Sequence, residues 1–161
     1  MNENEFAANI QDMRSRLYRT AYLYLGSEAD ALDAVDEAVY RGLLSIKRLR
    51  RPELLRTWMT RILINACKDE LRRKKRVVLV PALPESAAAE FDALPIRDAV
   101  LRLPAELKAP VILRYFSGLT IAETAGALGI PQGTAATRVR RALRVLRLEL
   151  LEEETANEPK R

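Results

Sequence analysis

Histidine is absent from this chain, and cysteine occurs once, at position 67. The first absence removes the commonest general base and the commonest metal ligand, and a lone cysteine supplies neither a disulfide nor a zinc site. Glycine is scarce, with 6 residues in 161, and neither GxGxxG nor GxxxxGKS/T occurs to cradle a phosphate. No pair of acids stands in an apolar setting that shifts a pKa toward acid–base work. No run of eighteen apolar residues and no leader of basic, apolar and small residues is present, which predicts a soluble, cytoplasmic protein. These absences argue against an enzyme and predict no catalytic residues, no cofactor, no metal and no small-molecule substrate.

What is present is charge in blocks. Residues 41–76 hold thirteen Lys/Arg against three Asp/Glu, and residues 102–148 hold eight against two, whereas residues 1–40 and 77–101 are acidic. Two basic blocks with an acidic spacer between them predict two places that touch a polyanion. Solvated helix faces are the plainer alternative. Within the second block, residues 120–147 read as a helix-turn-helix. Thr120 and Glu123 stand at capping-box spacing, Gly129 suits the positive φ that ends a helix, and Pro131 starts the next. After Gln132, Ala135, Val139, Ala142, Leu143 and Leu146 recur at helical spacing while Arg138, Arg141 and Arg144 fall on another side.

The first block sits in an equally helical context. Phe6, Ile10, Met13, Leu17, Ala21 and Leu25 mark one helix, which Gly26 and Ser27 stop and restart. A second runs from Ser27–Asp30 to about Ile46 with an acidic N-terminal half that suits the helix dipole. A basic turn, Lys47 to Pro52, leads to a third from about Glu53 to Arg76, with Leu55, Trp58, Met59, Ile62, Leu63 and Ala66 inward and Arg61, Lys68, Arg72 and Lys75 outward. Residues 77–95 hold three prolines and no basic residue and read as a linker. A short helix from Ile96 to Leu103 follows, Pro110 predicts a kink or break near Ala109, and the tail from Glu149 is expected to fray. The fold class is all-α: a three-helix bundle and a helix-turn-helix domain joined by a linker.

Three segments carry a resemblance. AYLYLGSEADALDAVDEAVY, WMTRILINACKDELRRKKR and the stretch from LPAELKAPVILRYF to RRALRVLR resemble, in that order, the characteristic stretches of extracytoplasmic-function sigma factors, the smallest group of the sigma-70 family. The resemblance implies a region 2 domain at 1–76, a linker at 77–95, a region 4 domain at 96–150 and an acidic tail at 151–161. It implies core RNA polymerase and promoter DNA as partners, with an anti-sigma factor as a candidate third. Polymerase docking falls on Asp30, Asp33, Val35, Asp36 and Val39. Minus-10 contacts fall on Arg48, Arg50, Arg51, Arg61, Asn65, Lys68, Arg72 and Arg73, most of them to phosphate. Minus-35 contacts fall on Gln132, Thr134, Thr137, Arg138, Arg140 and Arg141, with the helix from Gln132 to about Leu150 in the major groove.

At several positions the chain departs from that pattern. Leu32 replaces the usual Glu, Asp36 the usual Gln and Thr124 the usual Ile; Ala135 stands for Val, and Ala136 lacks the usual basic side chain. Trp58 has apolar neighbours at helical spacing, which favours core packing over base stacking. Asn65, costly inside a helix, suggests a hydrogen-bonding task. Two rival readings stand beside the sigma factor: a free-standing helix-turn-helix regulator, and an interaction module whose basic helices hold an acidic protein.

Overall fold

The computed structural model describes residues 1–76 and 94–157; the predicted linker lies outside them but for residues 94 and 95, which open a helix. Seven α-helices follow one another in the described residues, with no strand: α1 (Glu3–Leu25), α2 (Glu28–Ser45), α3 (Leu55–Arg76), α4 (Leu94–Arg102), α5 (Ala105–Val111), α6 (Ile121–Leu128) and α7 (Gln132–Asn157). The all-α class holds, in two helical halves.

Local chemistry sets most of the boundaries. Asn2 caps α1 by accepting from the Glu5 amide at 2.8 Å, while the Glu5 carboxylate accepts from the Asn2 amide at 3.0 Å. That capping box lies one turn ahead of the first periodic apolar residue, so hydrophobic spacing alone starts the helix too late. Gly26, at φ 74°, ends α1, and the Ser27 hydroxyl then accepts from the Asp30 amide to start α2. Two 3₁₀ turns, Ile46–Arg48 and Pro52–Leu54, carry the chain into α3.

In the first half, α1, α2 and α3 pack around Phe6, Leu23, Val35, Met59 and Leu63, each at most 2% exposed. Each such side chain contributes about 1.5–3 kcal/mol by leaving water. The helices come close because α2 presents Ala31, Ala34, Ala38 and Gly42 to them. A Cβ on Gly42 would sit 2.7 Å from the Met59 sulfur and 3.0 Å from Phe6 Cζ, so larger residues are shut out there. Of the six residues expected inward on α3, Trp58 and Ile62 are only half-buried, while Thr60, Ile64 and Cys67 are buried. The helix carries a wider buried face than a three-helix bundle needs because α6 also packs against it.

In the second half, α5 does not break at Ala109. It runs through Pro110 to Val111 and continues into a single π-helical turn, Ile112–Phe116, closed by a bond of 2.9 Å from the Ser117 amide to the Ile112 carbonyl. The residues flanking the proline, Ala109, Val111, Ile112 and Leu113, are all buried. Packing keeps the chain helical past the missing donor, and the ladder widens into the π turn directly after it. Thr120 and Glu123 form the expected capping box on α6, and Gly129, at φ 66°, ends it. The helix is not confined to the residues before Glu149: α7 continues to Asn157. Its Leu, Glu and Ala residues are strong helix formers, and the next breaker in the sequence is Pro159.

The halves are not separate beads. Buried residues from Phe6 to Leu146 form one continuous core, with α4 and the π turn packed on α1 and α6 packed on α3.

Candidate nucleic-acid interface

The basic surface of the first half has two parts. Arg48, Arg50 and Arg51 are exposed on the turn between α2 and α3, where Pro52 at the start of a 3₁₀ turn fixes the backbone and leaves the three guanidinium groups pointing to solvent. On α3, Arg61, Asn65, Lys68 and Arg72 recur at i, i+4, i+7 and i+11, which places them on one stripe. Asn65 is exposed, and none of the described residues holds its amide. That fits a group kept for an outside partner better than an internal cap. Arg73 stands apart from the stripe: its guanidinium is 2.5 Å from Glu70, and it lines a cleft beside α2 with Asp33, Glu37, Arg41 and Asp69.

The turn and the start of α3 together wall a cleft of about 380 Å³, lined by Arg48, Arg50, Arg51, Arg61, Leu54 and Trp58 and closed on one side by Gly126 of α6. Trp58 is thus divided, part of its indole against the core and part facing this cationic cleft. The sequence offers the choice between packing and stacking; in the structure the half-buried ring borders both the core and the cleft.

In the second half, α7 buries Ala135, Val139, Ala142 and Leu146, as its spacing predicts, but Leu143 is 39% exposed. Thr134, Arg138 and Arg141 share a stripe at i, i+4 and i+7. Gln132, Thr137, Arg140 and Arg141 are exposed, whereas Thr134 and Arg138 are half-buried. The Thr137 hydroxyl donates back to the Gly133 carbonyl at 2.9 Å, which leaves its oxygen available as an acceptor. Arg138 faces a cleft of about 200 Å³ shared with Lys68, Tyr24, Glu106 and Leu128. One candidate for each of the two DNA elements therefore looks into the same gap.

Residues 10–77 match the family model for sigma-70 region 2, and residues 93–146 match that for sigma-70 region 4. The chain belongs to the sigma-70 family. Among relatives of this sigma factor, RNA polymerase sigma factor SigV of Bacillus subtilis (strain 168) is 31% identical over 90% of each chain. The ECF RNA polymerase sigma factor SigM of Mycobacterium tuberculosis is 33% identical over 79% of this chain and 67% of its own. Such kinship puts this sigma factor in the extracytoplasmic-function group, whose members bind core polymerase and direct it to promoters. In fold it is similar to the sigma factor RpoE from Bartonella quintana, solved in complex with the anti-sigma factor NepR, with a TM-score of 0.77 at 21% identity over 91% of this chain and 96% of that one. It is also similar to CnrH, solved in complex with the cytosolic domain of CnrY, with a TM-score of 0.73 at 20% identity over 94% and 90%.

The α2 surface of this sigma factor differs from the sequence expectation. Asp33 and Asp36 are exposed, the latter 3.2 Å from Arg14, and Val39 is half-buried. Val35, however, is 1% exposed and belongs to the core, and Asp30 is buried in an ion pair with Lys74. Neither can meet a partner as folded; both hold α2 in place. The exposed apolar residues of α2 are Leu32, already marked as a departure from the family pattern, and Tyr40, Leu43 and Leu44, which the sequence reading passed over, the last 68% exposed. Their signal was available: they fall at i, i+8, i+11 and i+12, on the opposite side of α2 from its alanines.

Among the described residues no helix is long and apolar enough to cross a membrane, and no group of three or more Cys, Asp or Glu is placed to hold a metal ion.

Proposed function

We propose that residues 1–76 and 96–150 act as two promoter-reading modules mounted on core polymerase through α2. The surface of Asp33 and Asp36, with Leu32, Tyr40 and Leu44 beside them, docks on the clamp coiled coil of the largest subunit. The turn arginines and the Arg61–Arg72 stripe meet the minus-10 element and hold the opened strand, with Trp58 offering a stacking surface inside their cleft. The first turns of α7 enter the major groove of the minus-35 element, where Arg138 and Arg141 pair with guanine or phosphate. The protein does this without catalysis of its own, in the cytoplasm, under an anti-sigma factor that masks the same surfaces.

The supporting observation is that two cationic surfaces of different geometry, a cleft with an aromatic wall and a bare recognition helix, occur on one chain. A free-standing regulator accounts for the second and leaves the first without a task. Arg138→Ala and Arg141→Ala are expected to weaken promoter binding by the polymerase holoenzyme and to lower the slope of log K against log salt by about 0.9 for each phosphate no longer neutralised. Run-off transcription from a cognate promoter decides between the two readings. A sigma factor directs initiation only with core polymerase, whereas tight operator binding by the protein alone identifies a regulator.

A further inference from the structure

The cationic cleft lies at the seam where the start of α3 meets α6, and its walls differ in kind from the bare stripe further along α3. Resting on the promoter-reading function just proposed, we infer that this cleft also binds a free nucleotide carrying two or more phosphates.

The lining supplies chemistry for both parts of such a ligand. Arg48, Arg50, Arg51 and Arg61 border a space of about 380 Å³, a size that holds small molecules. None of the four is ion-paired with a described residue, and no carboxylate lines the cleft. The Glu123 carboxylate reaches the wall through Thr57, at 3.1 Å, but its other oxygen accepts from the Thr120 amide at 3.0 Å, so it is committed to the cap of α6. Four guanidinium groups crowded together without a counter-charge repel one another. A polyphosphate relieves that repulsion through several charge-assisted hydrogen bonds at once.

The apolar part of the lining is Leu49, Leu54 and Trp58. An indole gives a nucleobase a flat stacking partner, worth about tenfold in affinity or more. On the side that α6 closes, the wall is Gly126, where an added Cβ meets no atom within 4 Å, so the space in front of that helix is open. Charge decides for a free nucleotide. A DNA strand brings one phosphate charge with each nucleotide, whereas a nucleoside diphosphate gathers about three beside one base, the closer match to four guanidinium groups around one space. Because those groups are also the proposed minus-10 contacts, nucleotide and opened strand exclude each other.

The test is a titration of the free, full-length protein with ADP, followed by the fluorescence of Trp58, the only tryptophan, and by calorimetry. Saturable quenching is expected, with adenosine and inorganic tripolyphosphate each binding at least tenfold more weakly, since each lacks one part of the recognition. Gly126→Leu fills the cleft without altering a charge; it replaces a helical glycine and enters open space, so the urea midpoint is expected to hold while ADP affinity falls at least tenfold. Absence of saturable binding at millimolar ADP, tripolyphosphate binding as tightly as ADP, or wild-type affinity in Gly126→Leu overturns the inference. Holoenzyme binding to a forked promoter is expected to weaken several-fold in saturating ADP and to be unaffected by adenosine; undiminished binding overturns the exclusion. Promoter reading is judged by the same holoenzyme without nucleotide, so a failure of ADP binding alone strikes this inference and leaves that function standing.

Discussion

Thr124 shows how one atom can carry an energetic cost that sequence reveals only in part. Its side chain is fully buried in α6, and its hydroxyl has no hydrogen-bond partner among the described residues. A buried donor left unpaired costs about 1–3 kcal/mol. Thr124→Val keeps the shape and removes the hydroxyl, so it is expected to raise stability by roughly 1 kcal/mol, measured as a higher urea midpoint at unchanged m-value. A lower midpoint would show that the hydroxyl has a task in the fold. The departure from an apolar residue was visible in the sequence; the missing partner was not, because it depends on what α3, α5 and α7 bring to that spot. Cys67 is the complementary case. Its placement inside a helical stretch predicts a buried small residue, and burial pushes its thiol up to about 12, so it stays protonated and unreactive.

Elements were legible wherever the deciding interactions are local. Gly26–Ser27, the box at Thr120 and Glu123, and Gly129 all act within four residues of themselves, and each stands where its spacing puts it. Glu123 does more than cap. Hydrogen bonds from the Thr120 amide first, then from the hydroxyls of Thr120 and Thr57, hold its carboxyl below the usual range. A depressed carboxylate pKa stabilises the fold above the ordinary pKa and loses that contribution as pH falls through the folded value. Glu123→Ala is therefore expected to lower stability by roughly 1 kcal/mol at neutral pH and to flatten the decline of stability as pH drops below 4.5, followed by thermal melts across that range. An unchanged acid limb would place the loss in helix propensity alone. Pro110 and the tail depart from expectation for one shared reason. A breaker or a polar run reports only on its own few residues, and packing around Ile112 or helix propensity beyond Glu149 outweighs it.

For the whole molecule, the decisive feature is that both halves contribute to a single core. Two independent domains would unfold separately, whereas a shared core makes them one cooperative unit. Urea unfolding followed by the fluorescence of Trp58, the only tryptophan, and by far-ultraviolet circular dichroism is expected to give superimposable transitions. Separate transitions would show that the seam opens before either half melts. The same packing explains why Ile64 and Cys67 are wholly buried while Trp58 and Ile62 are only half covered: α3 answers to two sets of neighbours, and its own periodicity records only one.

By itself the sequence determined most of the helices, the caps at Gly26–Ser27, Thr120–Glu123 and Gly129, the two cationic stripes and the family, because periodicity, capping and charge spacing act between residues a few positions apart. Tertiary structure alone decided which α2 residues face outward, which arginines stand free of ion pairs, and that α6 of the second half packs against α3 of the first. Those outcomes depend on pairs such as Thr20 with Ser117 or Thr57 with Glu123, brought within bonding distance across most of the chain by a core that no local pattern encodes.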